Sequence, residues 1–243
     1  MKTISKVFSC ILAFSSLLGN VEGQNIYRIW YDKPASYWEE ALPVGNGRIA
    51  AMVFGDPQLE QIQLNEETVS AGSPYQNYNE EAKTALPEMR RLIFEGKYEE
   101  AQNMAATKIL SQVGNEMPYQ TVGRLNIRYQ DHKKVSNYYR DLDISNAMTV
   151  TRYKVDGVEF TEETFASFTD QLVIRHIKAS KPGTINCELF FNTPMRDPKR
   201  SIYGKKGLRL EGITHGSRYF PGKVHYCADL DVKHKGGKVI TAN

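Results

Sequence analysis

Carboxylate side chains are the groups in this 243-residue chain best suited to chemistry, because paired carboxyl groups can act as general acid and base in hydrolysis. Neighbouring residues on a strand point to opposite faces, and neighbours on a helix diverge by about a quarter-turn. Adjacency alone therefore builds no acid–base pair, and solvated surface charge is the favoured interpretation of these glutamates. The adjacent pairs are Glu39-Glu40, Glu66-Glu67, Glu80-Glu81, Glu99-Glu100 and Glu162-Glu163.

Asn65 and Glu66 stand out because they end a predicted strand. The apolar residues Ile62 and Leu64 precede them, and a loop containing Pro74 follows. Loops at strand ends carry function more often than the strands themselves. Asn65 and Glu66 either line a cleft shared with a neighbouring domain or fix the loop by hydrogen bonds, and the second interpretation is favoured.

Both tryptophans lie in one short segment, Trp30 to Arg48. Within it, Gly45-Asn46-Gly47 is typical of a tight turn that leads into a strand at Arg48. A phosphate-binding loop is excluded here because neither GxxxxGK[ST] nor GxGxxG is present. The candidate substrate-binding or interdomain residues are therefore Trp38, Asn46, Arg48, Asn65 and Glu66.

Exposed aromatic rings could form a stacking platform for sugars, since the apolar face of a hexose packs on an aromatic ring. With 14 tyrosines and 10 phenylalanines in the chain, some clustering is expected by chance. Packing in the core or between domains is the favoured interpretation. The aromatic candidates are Trp30, Trp38, Tyr75, Tyr78 and Tyr119.

Composition excludes several classes of protein. With 41% hydrophobic and 24% charged residues the chain is typical of a globular protein and not of a disordered one. The net charge of +3 is scattered, so no nucleic-acid partner is predicted. The histidines and cysteines show no zinc spacing, so neither a metal nor another cofactor is predicted.

The N-terminus is predicted to be a signal peptide over residues 1–23. Lys2 and Lys6 precede the apolar stretch from Val7 to Gly19, and Gly23 offers a cleavage site before Gln24. The stretch is too short for a bilayer, which needs about 20 apolar residues, so no membrane anchor is predicted. A periplasmic or secreted mature form with a single domain over residues 24–243 is therefore expected.

Strand signals dominate after residue 110 and predict a mainly β fold, a large antiparallel sandwich. Asp156-Gly157 joins two β-rich runs and predicts a type I′ hairpin. Residues 80–111 are expected to be a short helical insertion packed against the sheet, its first helix beginning at Pro87 and ending at Gly96. A last strand from Lys238 to Thr241 should pair back across a turn, and the domain is expected to be incomplete at its C-terminal end.

The two cysteines after the signal peptide are expected to lie on different faces of their strands. Cys187 shares the apolar parity of Leu189 and should face the core, whereas Cys227 has the opposite parity to Ala228. Opposite faces make a disulfide awkward. Free thiols are favoured over a bridge.

Five ordered phrases carry a resemblance to a known family. They are WYDKPASYWEEALPVGNGRIAAMVFG (30–55), IQLNEETVSAGSPY (62–75), LPEMRRLIFEGKYEEAQ (86–102), MPYQTVGRLNI (117–127) and YYRDLDISNAMTVTRYKVDGVEFTEETFAS (138–167). Together they resemble the N-terminal domain of glycoside hydrolase family 95, the α-L-fucosidase family. One departure is Ser70, which stands where the family usually has tryptophan.

The resemblance implies a super-sandwich that precedes a helical (α/α)6 barrel in a secreted, inverting enzyme acting on fucosylated glycans. In an inverting enzyme one group protonates the leaving oxygen while another activates a water. In this family those groups belong to the barrel, so no catalytic residue is assigned to this chain. An autonomous carbohydrate-binding module and a structural or interaction domain are the alternatives.

Overall fold

Alternation of inward and outward side chains explains most of the strands. A computed structural model describes residues 27–72, 77–111, 118–216 and 221–241. The strands are β1 (Arg28–Tyr31), β2 (Leu42–Gly45), β3 (Ile49–Val53), β4 (Leu59–Glu66), β5 (Gly123–Tyr129), β6 (Val135–Asp143), β7 (Met148–Val155), β8 (Val158–Ser167), β9 (Leu172–Ala179), β10 (Cys187–Asn192), β11 (Arg196–Tyr203), β12 (Gly207–Ile213) and β13 (His225–Leu230).

The strands form three antiparallel sheets. The first sheet has the order β1-β6-β7-β8-β9, the second β10-β5-β4-β3-β2, and the third β11-β12-β13. Strands β2 and β3 of the second sheet lie against the first sheet, and β10 lies against β12 of the third. The predicted mainly β fold of antiparallel sheets is confirmed, with the main core between the first two sheets and extending to the third.

The hairpin between β7 and β8 matches its prediction. Asp156 and Gly157 both have positive φ, +49° and +79°, and Val155 pairs with Val158 across the turn. These angles are those that a type I′ turn requires. The predicted hairpin is confirmed.

Cys187 and Cys227, the two cysteines in the part of the chain that the structure describes, are free. Cys187 begins β10 and packs against the core, whereas Cys227 is exposed on β13. The opposite orientations that the alternation predicted are confirmed.

Two helices, α1 (Ala82–Phe94) and α2 (Tyr98–Met104), form the insertion, and a π-helical turn (Ala105–Ile109) extends α2. Gly96 ends α1 with φ +77°, and the amides of Gly96 and Lys97 donate to the carbonyls of Ile93 and Leu92. This is the Schellman arrangement, so the predicted end is confirmed. The predicted start is wrong, because Pro87 lies inside α1 and the helix begins five residues earlier.

The expected packing of the insertion against the sheet is also wrong. The helices contact each other far more than they contact any strand. Only Ala85, Leu92 and Ala101 are buried in α1 and α2, and Phe94 is 89% exposed. The insertion therefore packs mainly within itself, and its exposed Phe94 is not covered by a sheet.

The predicted last strand is absent, because residues 231–241 contain no strand. Gly236 and Gly237 do have the positive φ of a turn, +73° and +66°, but no ladder follows. Turn residues permit a hairpin without supplying the cross-strand contacts that stabilise one.

The predicted signal peptide, residues 1–23, and the position Gln24 lie outside the described residues. In the part of the chain that the structure describes, no helix is both long and apolar enough to cross a bilayer.

Candidate functional site

Three of the five candidate residues meet where the turn between β2 and β3 approaches the end of β4. Asn46 Oδ1 accepts hydrogen bonds from the amides of Arg48 and Ile49, at 3.1 and 2.9 Å. Asn46 Nδ2 donates to the carbonyl of Ser167 at 2.8 Å, which ties this turn to the end of β8. Asn46 therefore shapes the turn and connects the two stacked sheets.

Glu66 closes the same cluster with both carboxylate oxygens. Arg48 Nε donates to Oε1 at 3.3 Å, and the amide and hydroxyl of Thr68 donate to Oε2 at 2.8 and 2.6 Å. Partial burial opposes ionisation, but the hydrogen bonds from Thr68 and the charge of Arg48 outweigh it and lower the pKa of Glu66 below 4.5. Glu66 is therefore an ionised hydrogen-bond acceptor near neutral pH, not a proton donor.

Asn65 and Trp38 are placed differently. Asn65 pairs with Ala50 across β3 and β4, and its side chain makes no hydrogen bond to any described residue. Trp38 is 50% exposed in a 3-10 turn (Trp38–Glu40) that precedes β2, at the end of that strand opposite to Asn46. The structure thus brings Asn46, Arg48, Asn65 and Glu66 to one end of the sandwich and leaves Trp38 apart.

Arg140, a fully buried residue of β6, holds the segment that carries Trp38 in place through hydrogen bonds to its backbone. Arg140 Nε donates to the carbonyl of Lys33 at 2.8 Å, and Nη1 donates to the carbonyl of Glu40 at 2.7 Å. The guanidinium also lies 4.1 Å from the centre of the Tyr31 ring. A single charged group therefore satisfies backbone carbonyls on both sides of Trp38.

An open apolar groove of about 310 Å³ lies beside the Asn46 turn. Its lining offers no carboxylate or imidazole, so it cannot transfer protons, and it suits contact with another apolar surface. Ile144 at its rim is 54% exposed. The lining residues are Pro43, Val44, Gly45, Ala50, Leu142, Ile144 and Ala147.

A buried ionic cluster at the centre of the sandwich was not anticipated from the sequence. Arg175 of β9 contacts Glu60 of β4 at 2.7 Å and also contacts Glu162 of β8. Its Nη1 donates to Thr164 Oγ1 at 2.6 Å. Glu60 and Glu162 are 0% and 1% exposed, so the expectation of solvated charge is wrong for Glu162.

Tyrosines and backbone amides complete the hydrogen bonding of this cluster. Tyr129 and Tyr153 donate to Glu162 Oε1 at 2.7 and 2.5 Å. The amides of Gly55 and Gln61 donate to Glu60 Oε1 at 2.8 and 3.0 Å. Burial raises the pKa of Glu60 to about 7, and the nearby charge of Glu162 adds to this increase. The positive charge of Arg175 lowers the pKa but only partly offsets the effect of burial. A glutamate with the pKa of a general acid is thus present, but it is sealed from substrate.

The aromatic candidates in the described residues are all exposed, so packing in the core of this chain is wrong for them. Trp30, Trp38, Tyr78 and Tyr119 are 61%, 50%, 64% and 56% exposed. Tyr75 lies outside the described residues. Ser70, the position where tryptophan was expected, forms an isolated bridge with Tyr119.

Curated proteins similar to this chain are fucosidases. Alpha-L-fucosidase 2 of Arabidopsis thaliana is 36% identical over 181 residues, which is 72% of this chain and 21% of that protein. Probable alpha-fucosidase A of Aspergillus niger is 26% identical over 63% of this chain, and that of Aspergillus oryzae 25% over 82%. These alignments cover 20% and 28% of the Aspergillus proteins, so the chain spans between a fifth and three tenths of each relative.

A match to a protein-family model also identifies a glycosidase domain. The model for "Glycosyl hydrolase family 65, N-terminal domain" matches residues 29–243, which includes every described strand except the first residue of β1. The resemblance to a glycosidase N-terminal domain is therefore confirmed at this level. The chain belongs to the family of glycosyl hydrolase family 65 N-terminal domains.

Proposed function

We propose that this chain is the non-catalytic N-terminal β-sandwich of a secreted, inverting α-L-fucosidase of the family 95 type, which acts on fucosylated glycans together with a helical catalytic domain. The observation that carries the proposal is the alignment of named fucosidases with this sandwich, which accounts for only about a fifth of the Arabidopsis protein. Most of each relative lies in segments that this chain does not cover, and we assign the chemistry to those segments.

The environments of Glu60 and Glu66 support a non-catalytic role for this chain. Glu66 is partly accessible but ionised, whereas Glu60 has a raised pKa but no exposed surface. A glycosidase acid must be protonated near neutral pH and must also reach the glycosidic oxygen. Neither glutamate combines the two properties.

The apolar groove supports a partner domain. It opens beside the Asn46 turn, and the side chain of Ile144 at its rim is more than half exposed. Exposed apolar surface of this kind commonly marks an interface. A helical catalytic domain that covers the groove would bury this surface and would place the cluster of Asn46, Arg48, Asn65 and Glu66 near the junction.

The chain alone is expected to release no fucose from 2′-fucosyllactose above a buffer control. A chimera in which the aligned segment of this chain replaces its counterpart in the Arabidopsis fucosidase should release fucose, because the sandwich would again contact a catalytic domain. The same Arabidopsis protein with that segment deleted is the control and should be inactive. Fucose release by the chain alone would overturn the non-catalytic assignment.

Export is the second part of the proposal and is supported by the Lys2, Lys6 and Gly23 pattern of the N-terminus. Mass spectrometry of material from a periplasmic or culture fraction should find a mature chain that begins near Gln24. An exported chain that retains Met1 would contradict cleavage before Gln24, and absence of the chain from both fractions would contradict export.

A further inference from the structure

The face of the first sheet opposite to the core carries a row of side chains from its edge strand β1 to β9, in which Trp30 and His176 are exposed, Glu163 is half-buried, and Asp141 and Val150 are buried. Paired residues on neighbouring strands share a face of the sheet. The register pairs Trp30 with Asp141, Asp141 with Val150, Val150 with Glu163, and Glu163 with His176. Because Glu162, the neighbour of Glu163, points into the core, this row faces away from the core.

The aromatic end of the row is preorganised. The Trp30 ring stacks on Tyr139 with centroids 6.3 Å apart and an interplanar angle of 21°, yet Trp30 stays 61% exposed. Tryptophan is usually well buried, so an indole held in one orientation at the surface is unusual. The stack offers a flat apolar face to solvent without the entropy cost of ordering a free side chain.

Hydrogen-bonding groups surround this stack. Arg28 donates to Asp141 and Asp143 at 3.2 Å each, and Asp141 is 1% exposed, so the guanidinium has a buried anchor. Arg152, the cross-strand partner of Tyr139, is exposed and makes no ion pair with any described residue. Fixed and free donors therefore lie on either side of the aromatic face.

Charge along this face is balanced. Four cations are accompanied by four anions, and these residues are Arg28, Arg152, Lys154 and Lys178, with Asp141, Asp143, Glu159 and Glu163. A balanced face gives no net attraction to an anionic polymer and suits a neutral ligand rich in hydroxyl groups. Five strands at about 4.8 Å spacing make the face about 19 Å wide, which is long enough for several linked sugar rings.

We propose that the outer face of β1, β6 and β7 binds a neutral oligosaccharide, with one pyranose ring stacked on Trp30 and its hydroxyl groups bonded by Arg28 and Arg152. The C–H face of a pyranose meets the electron-rich face of the indole, and the ring hydroxyls accept hydrogen bonds from the flanking guanidinium groups. This binding activity goes beyond the proposed function and does not rest on it.

The test is binding of the whole chain to a printed array of neutral β-glucan, β-mannan, β-xylan and lactose-based oligosaccharides, with oligogalacturonates as acidic probes. Neutral probes should bind, and Trp30→Ala should weaken the best of them by at least about tenfold, as for truncation of an aromatic anchor. Arg152→Ala should weaken it several-fold. Tyr98→Ala, which removes a 69% exposed ring on α2, is the matched control and should leave binding unchanged.

Thermal unfolding of each variant separates lost binding from lost folding, and Trp30→Phe, which keeps a smaller ring, should bind at an intermediate level. The proposal is overturned if no neutral probe binds, if Trp30→Ala binds as the parent does, or if the oligogalacturonates bind best. None of these measurements depends on fucose release, so the proposed function stands or fails separately.

Discussion

Replacement of Arg175 by methionine is expected to lower the free energy of unfolding by about 3 to 5 kcal/mol, the usual cost of removing one partner from a buried ion pair. Arg175 is the cation that contacts both Glu60 and Glu162. Without it, two carboxylates remain in an environment where Glu60 has no exposed surface. At least one must then take up a proton or draw water into the core.

Chemical denaturation at pH 7 measures this effect, and two further variants define its origin. Arg209→Met is the control, because Arg209 makes a bidentate pair with Asp229 at the surface, and such pairs contribute about 0 to 1 kcal/mol. The triple variant Arg175→Met, Glu60→Gln, Glu162→Gln should recover much of the loss, since no unpaired charge remains. A triple variant as unstable as the single one would show that lost packing, not uncompensated charge, is responsible.

The sequence contains a signal for this cluster in the alternation of its strands, and not in adjacent carboxylates. Arg175 is on the same strand face as the apolar Val173 and Ile177, and Glu60 is on the same strand face as Ile62. A charged residue at a core-facing position of a strand is costly unless it meets a partner. Opposite charges at such positions on different strands predict a buried contact, but the sequence does not state which strands face each other.

Strands with regular alternation were predictable, and irregular ones were not. The hairpin at Asp156-Gly157 depends only on local turn chemistry, and its register followed directly. Strand β11 has no apolar alternation, all its residues are exposed, and its pairing is interrupted around Pro198. Proline is tolerated at such an edge, so this strand exists because β12 offers it a partner.

The helical insertion shows a different limit. The spacing of the apolar residues Tyr98, Ala101, Ala105 and Ile109 and the terminating Gly96 were visible in the sequence, but the surface that this helix face covers was not. Residues spaced three or four apart predict that a helix face is buried without identifying the partner. In α2 only Ala101 is buried, and Tyr98 on the same face is 69% exposed, so the face is covered only in part.

For the candidate site, residue types alone located the turn but not its role. Asn46, Arg48, Asn65 and Glu66 do lie at one end of the sandwich. The loop-fixing interpretation, made for Asn65 and Glu66, describes the hydrogen bonds of Glu66 with Thr68 but not Asn65, whose side chain bonds to no described residue. Trp38 could not be placed, because its position depends on the buried Arg140, more than 100 residues later in the chain. Contacts at such separations require the fold itself.

The chain is expected to lose stability as pH rises from 5 to 8, with Glu60 as the main cause. Its pKa of about 7 in the folded state lies above the ordinary value of 4.5 that applies when the chain is unfolded. Between these values the folded state holds a proton that the unfolded state has released, so unfolding becomes easier as pH rises. The effect is fully developed above pH 7 and amounts to about 2 to 3 kcal/mol over this range.

Glu60→Gln removes the titration while keeping nearly the same shape. Denaturation of both proteins at pH 5, 6, 7 and 8 should show that the stability difference between them shifts in favour of the variant as pH rises. A constant offset is also expected, because the glutamine amide places a donor opposite Arg175 Nη2 or the amide of Gly55. Only the slope with pH therefore reports on the proton.

Comparison of the two proteins also separates Glu60 from the other groups around it. Burial lowers the pKa of His132, which destabilises the fold as pH falls and so acts in the opposite sense to Glu60 at low pH. The other groups around Glu60 are present in both proteins, so their direct contributions to the pH dependence largely cancel in the difference. These groups are Tyr129, His132, Tyr138, Arg140, Tyr153, Glu162 and Arg175.

Glu99→Gln, which removes an exposed carboxylate from α2, is the control for loss of a charge, and its stability should follow that of the parent at every pH. Parallel curves for Glu60→Gln and the parent would mean that Glu60 is already ionised in the fold across this pH range.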